Sequence, residues 1–223
     1  LVRSRGLGDV YKRQAGTIAI APYNDGALDL GGTGLAGLQL SQALVSAFAS
    51  GAVISLGAAD GATANSILSE GALSFANALV ALNSTGGLTQ TGSLSANNLA
   101  LTGTSLALNG QINATALSLT ASGAISQTGG SGLTLSSLSG TGGSIALTGG
   151  ANSIASVTGL TAAGGIAIND AGALSVAGGI SAGSSIALAT PTLDLGNTLI
   201  SPHVSLAADT ILSLIHISEP TRP

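Results

Sequence analysis

Apolar residues recur in this sequence as doublets, two positions apart, separated by Gly, Ser, Thr, Ala and Asn. A spacing of two is the period of a β-strand, and it places both members of a doublet on one face. Turn-forming residues follow each doublet, so each one predicts a short strand. The doublets are Ile18/Ile20, Leu28/Leu30, Ile54/Leu56, Leu99/Leu101, Leu106/Leu108, Leu117/Leu119, Leu133/Leu135, Ile145/Leu147, Ile166/Ile168, Leu174/Val176, Ile186/Leu188 and Leu193/Leu195.

The doublets themselves recur about every 20 residues, with roughly three strand-like segments in each period. GLTQTG at Gly87–Gly92 is echoed by AISQTG at Ala124–Gly129, about two periods later. Repeats of this length indicate a stacked architecture in which each unit contacts its neighbours. Two tracks define the period: the first is Ile125, Ile145, Ile166 and Ile186, and the second is Ile112, Leu133 and Ile154.

The repeat predicts an all-β fold, a parallel β-helix of about ten coils with roughly 18–22 residues each. One coil cannot bury its apolar face alone, so the coils must stabilise one another. We expect right-handed winding, as in most parallel crossovers. Leu38–Ala49 departs from the pattern, because Leu40, Leu44, Val45 and Phe48 have helical spacing behind a candidate N-cap at Ser41. A short helix near residues 40–49 is one interpretation, and an ordinary Ala-rich coil is the other.

All five Lys and Arg residues lie among the first 14 or the last 12 positions, and none occurs in Ala15–Ile211. Permitted codons for Ser4–Gln14, when reverse-complemented, encode Leu212–Arg222. We therefore interpret residues 1–14 and 212–223 as one DNA segment read on both strands, which resembles a transposase-type sequencing adaptor. Such segments are excluded from fold reasoning. We expect both to be disordered, and residues 15–211 to be a β-helix fragment of a longer reading frame.

The composition of Ala15–Ile211 excludes several function classes. The segment contains seven acidic residues and no Lys or Arg, so its formal charge is −7. Phosphate contacts rely on Lys and Arg, which argues against nucleic-acid partners and against docking on anionic lipid. The absence of Cys excludes disulfides and thiolate metal sites. Ala43–Ala59 is apolar, but it is interrupted by Ser and Gly and is shorter than a membrane-spanning helix, so we expect it to be buried, with no direct membrane insertion.

The segment resembles the repeat-rich bodies of filamentous-haemagglutinin-like exoproteins, which are large bacterial adhesins. The resemblance covers nearly all of Ala15–Ile211 and is carried by motifs whose order is more specific than any one of them. It implies a right-handed β-helix and export across a Gram-negative envelope, by two-partner secretion or as an autotransporter-like passenger. It supplies no binding residue. The motifs are Thr17–Gly32, Gly37–Phe48, Val53–Gly61, Gly87–Gly103 and Gly164–Thr190.

The chemistry-bearing residues suggest no catalytic, cofactor or metal site. Glycoside hydrolases need paired carboxylates, but the acids are dispersed. In the closest pair, Asp25 and Asp29, Asp25 belongs to a predicted turn, Asn24-Asp25-Gly26. His203 is the sole histidine of the segment and has no second His or Cys nearby in sequence. Gly140–Gly143 lacks the Lys of a phosphate loop, and Asp60 with Gly61 does not fit the calcium nonapeptide pattern.

The sequence therefore predicts a non-catalytic rod segment of a secreted adhesin on the surface of a Gram-negative bacterium. Its expected partners are an outer-membrane transporter during export and host or matrix glycans or proteins, with no cofactor. Rows of outward Ser, Thr and Asn would support weak multivalent contact. Two alternatives stay open: non-catalytic coils of a β-helix carbohydrate-active enzyme, and the passenger domain of an autotransporter.

Overall fold

The protein is a β-solenoid, as the doublets predict. A computed structural model describes residues 10–14, 16–32, 37–48 and 52–213. It is 65% strand and 4% helix, and the parallel strands stack into about seven turns. No helix among these residues is long and apolar enough to cross a membrane.

The strands are short and numerous, and they are numbered here in chain order. The elements are β1 (Val10–Gln14), β2 (Thr17–Ala21), a 3-10 turn (Tyr23–Asp25), β3 (Ala27–Leu30), β4 (Leu38–Leu40), α1 (Gln42–Ser46), β5 (Val53–Leu56), β6 (Ala58–Ala59), β7 (Ala62–Thr63), β8 (Ser66–Ser69), β9 (Leu73–Asn83), β10 (Gly87–Gln90), β11 (Leu94–Gly103), β12 (Ser105–Leu108), β13 (Gln111–Ala121), β14 (Ala124–Gln127), β15 (Gly132–Gly142), β16 (Ser144–Leu147), β17 (Ser153–Ile154), β18 (Ser156–Ala162), β19 (Ile166–Asn169), β20 (Ala173–Val176), β21 (Ile180–Ala182), β22 (Ser185–Ala189), β23 (Thr192–Leu195), β24 (Leu199–Ile200), β25 (His203–Ala207) and β26 (Thr210–Ser213).

Two large sheets run along the solenoid. The first sheet has 14 strands, in the order β1-β2-β5-β9-β11-β13-β15-β18-β20-β23-β26 with β17, β21 and β24 beside this path. The second sheet has ten strands, in the order β25-β22-β19-β16-β14-β12-β10-β8-β3-β4. Pairing is parallel throughout both sheets except between β1 and β2. Each turn alternates between the sheets, which is the topology of a parallel solenoid.

An aliphatic ladder runs along the inner face of the second sheet. Its members are direct register partners and recur about every 20 residues, which confirms the predicted period and the first predicted track. The ladder comprises Ile67, Leu88, Leu106, Ile125, Ile145, Ile166, Ile186 and Val204.

The predicted count of about ten coils is wrong, because the early part of the chain does not follow the regular period. The ladder from Ile67 to Val204 takes seven steps. Leu28 is the register partner of Ile67, although almost two regular periods of sequence separate them. Strand β4 and helix α1 lie in that interval, so residues counted as regular coil form an excursion instead. The right-handed winding remains a prediction.

Each regular turn has three strand segments, as predicted, although two of them are continuous in the middle of the chain. Strand β13 shows this best: Ile112 and Ala114 are buried, and so are Leu117 and Leu119. The two residues between these pairs, Thr115 and Ala116, are not buried. The alternation of buried and exposed side chains is therefore interrupted at these two residues. The strand turns a corner there and keeps its parallel partners.

The doublets form a large part of the core. All twelve pairs are buried, with no member more than 7% exposed. Fully burying one such side chain contributes about 1.5–3 kcal/mol. Since the neighbours that bury each side chain belong to adjacent turns, most of this stabilisation exists only in the stack.

The second predicted track fails at its last step. Ile112 pairs with Leu133, but Ile154 pairs with Leu135. The turn that ends at Ile154 therefore starts at Leu135 and not at Leu133, so it has two residues fewer than the track predicts. Asn152 lies just before Ile154, is 1% exposed, and accepts a hydrogen bond from the Leu133 backbone N–H at 3.0 Å. A buried amide thus takes the place where the track predicts an aliphatic side chain.

The predicted helix is present but shorter than its sequence pattern. Helix α1 covers Gln42–Ser46, and the Ser41 hydroxyl accepts a hydrogen bond from the Leu44 backbone N–H at 3.4 Å, which confirms the N-cap. Val45 is the buried residue of the helix, whereas Leu44 is 44% exposed. Leu40 belongs to strand β4 and not to the helix.

Parts of the two terminal segments that we expect to be disordered are strands. Strand β1 pairs antiparallel with β2, and Leu212 and Ser213 belong to β26, which pairs with β23. Residues 1–9 and 214–223 lie outside the described residues. The origin of both segments in adaptor DNA remains a prediction, because it rests on codons and not on conformation.

Candidate functional site

The closest pair of acids in the sequence is not a pair in the structure. Asp25 lies in the exposed 3-10 turn with a φ of 52°, and its Oδ1 accepts a hydrogen bond from the Thr63 backbone N–H at 2.9 Å. Asp29 is 0% exposed in strand β3. Asp25 therefore holds a loop in place, as its Asn-Asp-Gly context predicts. Asp29, in contrast, is fully buried within its strand.

Asp29 lies instead beside Glu70, which is distant from it in sequence. A methyl group added to Gly32 would touch Glu70 Oε2 and would lie 2.5 and 2.8 Å from Asp29 Oδ1 and Oδ2. The long first turn causes this approach: Leu30 pairs with Ser69, and the Glu70 backbone N–H donates to the Leu30 carbonyl at 3.0 Å. The two carboxylates therefore meet where β3 and β8 end.

This carboxylate pair is poorly suited to hydrolysis of a glycosidic bond. A glycosidase needs both carboxyl groups to reach the substrate from the same cleft. Glu70 is exposed, but Asp29 is completely buried, and a sugar ring cannot reach it. Among the described residues, no group of three or more His, Cys, Asp and Glu side chains could hold a metal ion.

The other residues considered as candidate sites lie in strands or in a hairpin turn. His203 is the exposed first residue of β25, and it pairs in register with Ser185. Asp60 and Gly61 both have positive φ and form the two-residue turn of the β6–β7 hairpin. Gly140 lies inside β15, and a Cβ there would be 2.7 Å from the Leu119 carbonyl oxygen.

Buried polar side chains recur at or after the ends of several second-sheet strands, on one corner of the solenoid; we call this set the corner column. Their hydrogen bonds join neighbouring turns. The Gln90 side chain accepts from the Gly110 N–H at 3.1 Å, and its amide donates to the Gly92 carbonyl. The Thr190 hydroxyl donates to the Gly172 carbonyl at 2.6 Å. The members are Gln90, Gln127, Asn152, Asp170 and Thr190.

Gln127 and Asn152 form the most connected part of the corner column. Their side-chain amides are joined by two hydrogen bonds, of 2.7 and 3.0 Å. Asn152 Nδ2 also donates to the Leu147 and Asn169 carbonyls, at 3.2 and 2.9 Å. Gln127 Oε1 accepts from the Gly149 N–H at 2.9 Å. The pair satisfies backbone groups that the corner would otherwise bury without partners.

Asp170 performs the same task with a carboxylate. Its two oxygens accept from the backbone N–H groups of Ile154, at 2.6 Å, and Gly172, at 2.9 Å. Asp170 is 3% exposed, and this burial raises the pKa of its carboxyl group above the ordinary value of 3.8, against the opposite effect of the two N–H groups.

The sequence itself contains a signal for part of the corner column. The echo of GLTQTG in AISQTG aligns Gln90 with Gln127, and the register confirms a separation of two turns through Leu108. Both glutamines occupy the second position of a doublet, after Leu88 and Ile125 respectively. Polar residues at that position predict a buried hydrogen-bonding role.

From Thr89 to Ser205 the outward face of the second sheet carries only small, uncharged side chains along its centre, and Leu68 and Asp29 precede Thr89 in the same register. A shallow hollow of about 340 Å³ opens on it beside Ala167, Ala187 and Ser205. With no Lys or Arg in Ala15–Ile211, the face has no cation with which to hold phosphate. The register partners along its centre are Thr89, Ala107, Ser126, Ala146, Ala167, Ala187 and Ser205.

Comparison with protein-family models, with curated proteins and with solved structures finds no match to this chain.

Proposed function

We propose that the chain is a non-catalytic rod segment of a secreted adhesin on a Gram-negative bacterial surface. One observation carries the proposal: an uninterrupted register joins the inward ladder from Ile67 to Val204. Seven steps of ~4.8 Å span about 34 Å. Such a stack provides length and stiffness, which are the properties needed to hold a distal binding region away from a cell.

The outward face of the second sheet supports a second part of the proposal. From Thr89 to Ser205 its small polar and apolar side chains recur on each successive turn, which suits weak repeated contacts with glycans or matrix proteins. The strength of such binding comes from the number of contacts rather than from any one residue. Export through an outer-membrane transporter, and the resemblance to filamentous-haemagglutinin-like exoproteins, complete the proposed setting.

Surface labelling tests the location. Antibodies raised against the chain should label intact cells of the source bacterium, and mild external protease should remove the label. Labelling that requires cell lysis would contradict the proposal.

Binding at two densities tests the role. We expect beads that carry the chain densely to be retained on glycan- or matrix-coated surfaces, whereas the free chain is not. Ala187→Arg on the outward face of the second sheet should reduce retention, and Ser118→Arg on the exposed face of β13 is the matched control. Turnover of an acidic polysaccharide by the full-length protein would instead favour a carbohydrate-active enzyme.

A further inference from the structure

We propose that Asp29 and Glu70 form a low-affinity calcium site that joins the first turn of the solenoid to the next. The sequence predicts no metal site, because the two acids are far apart along the chain. Three of their carboxylate oxygens, Asp29 Oδ1 and Oδ2 and Glu70 Oε2, all lie within 3 Å of the position that a Cβ atom on Gly32 would occupy, so they are close to one another.

The hydrogen bonding of Asp29 is incomplete on the side that faces Glu70. Asp29 Oδ1 accepts from the Gly32 backbone N–H at 3.2 Å. Asp29 Oδ2 is buried and has no hydrogen-bond partner. A buried carboxylate oxygen without a partner is costly, and a second carboxylate beside it raises the cost further. A bound cation, or a proton shared by the two carboxyl groups, would remove this cost.

Ala15–Ile211 does not supply that positive charge, and Lys12 and Arg13 lie in β1 of the first sheet. Ala15–Ile211 contains no Lys or Arg, and His203 lies on β25, at the opposite end of the second sheet from β3. A soluble cation from outside the chain can supply the charge. Carboxylate oxygens are the preferred ligands of hard divalent cations, and Ca²⁺ tolerates irregular geometry at about 2.3–2.6 Å.

The surroundings favour Ca²⁺ with a partial water shell. Glu70 is exposed, so solvent can reach the site from its side and complete the six to eight oxygen ligands that Ca²⁺ takes. Two protein carboxylates provide few ligands, which places the expected Kd in the range of about 10⁻⁴–10⁻³ M typical of extracellular calcium modules. At such an affinity the site would fill outside a cell and stay empty at cytosolic calcium levels.

Calcium titration of the full chain tests the site. After treatment with a chelator, isothermal titration calorimetry with CaCl2 should show about one equivalent bound. Calcium at ten times Kd should raise Tm by roughly 3–5 °C. Asp29→Asn and Glu70→Gln should each weaken binding about tenfold or more. Asp194→Asn, which removes a carboxylate from β23, should leave binding unchanged.

The variants also separate loss of the site from loss of the fold. Without calcium, Asp29→Asn should be at least as stable as the wild type, because it removes a buried charge. Glu70→Gln changes an exposed side chain and should fold normally. Absence of a calcium-dependent Tm shift in the wild type would overturn the proposal. Equal calcium binding by the wild type and both variants would overturn it as well, since the ion would then bind elsewhere.

Discussion

The Asn152→Leu substitution tests whether hydrogen bonds of the corner column or burial of an aliphatic side chain contributes more to the free energy of unfolding at this position. Leucine is the residue type that the second track favours there, and burying its side chain would contribute about 2 kcal/mol. The same change removes the partners of two buried donors, the Leu133 N–H and the Gln127 side-chain NH2. Each unsatisfied donor costs about 1–3 kcal/mol. We therefore expect a loss of about 4 kcal/mol, a gain of about 2 kcal/mol, and a net destabilisation of about 2 kcal/mol.

The comparison of Asn152→Leu with Asn152→Ala isolates the two contributions. Alanine loses the same hydrogen bonds without the compensating burial, so we expect about 4 kcal/mol of destabilisation. Adding Gln127→Leu to Asn152→Leu removes the orphaned amide, and the double mutant should show a coupling of about 1 kcal/mol or more. Asn113→Leu, on the exposed face of β13, should change the free energy of unfolding by less than about 0.5 kcal/mol.

Urea denaturation followed by circular dichroism measures these free energies. Equal or greater stability of Asn152→Leu would refute the reasoning, because it would mean that aliphatic burial outweighs the hydrogen bonds at this corner. Additive effects of Gln127→Leu and Asn152→Leu would refute the part of the argument that treats the two amides as one unit.

Two further predictions concern other parts of the solenoid. Because burial raises the pKa of the Asp170 carboxyl group, the folded protein holds this proton more tightly than the unfolded chain, and the contribution of Asp170 to the free energy of unfolding should fall as pH rises from 3.8 through the raised pKa. Asp170→Asn should remove that decrease in urea denaturation between about pH 3 and pH 7, and an unchanged pH profile would contradict the assignment. At the far end of the solenoid, Val204 and Ile211 continue inward ladders but are 46% and 47% exposed, so the chain should self-associate through its last turn. Size-exclusion chromatography should show a smaller species for Val204→Lys with Ile211→Lys, and a wild-type monomer at high concentration would count against it.

The regular part of the fold is predictable from the sequence because its cause is local and repeated. A doublet such as Ile145/Leu147 specifies its own inward face, and the corresponding doublet one period later specifies the register. The prediction of register fails between Leu28 and Ile67, where the chain makes the excursion through β4 and α1. The number of residues between two doublets does not reveal whether those residues form a turn of the solenoid. The count of coils was wrong for that reason.

The corner column and the Asp29–Glu70 pair are less predictable from the sequence, because both depend on residues that depart from the repeat. Asn152 interrupts an aliphatic track, and no rule of period two says which backbone groups its amide will satisfy. Asp29 is on the outward side of its strand by alternation, between the inward Leu28 and Leu30, yet it is completely buried. Its proximity to Glu70 follows from the long first interval, which the sequence pattern treats as two ordinary coils.

The absence of Lys and Arg from Ala15–Ile211 also bears on how the solenoid unfolds. In a stacked repeat, stability is approximately a sum over neighbouring turns, so the weakest interface determines where opening begins. The regular turns are joined by a full ladder and by corner hydrogen bonds that carry no net charge, except at Asp170. The first interface instead holds two carboxylates, one of them with an unpaired buried oxygen, and no residue of Ala15–Ile211 can neutralise them as Lys or Arg would. When calcium is absent, backbone hydrogen exchange should therefore be faster in β3 than in the other second-sheet strands that have a neighbouring strand on each side. Calcium should slow hydrogen exchange in β3 more than in β14 or β16.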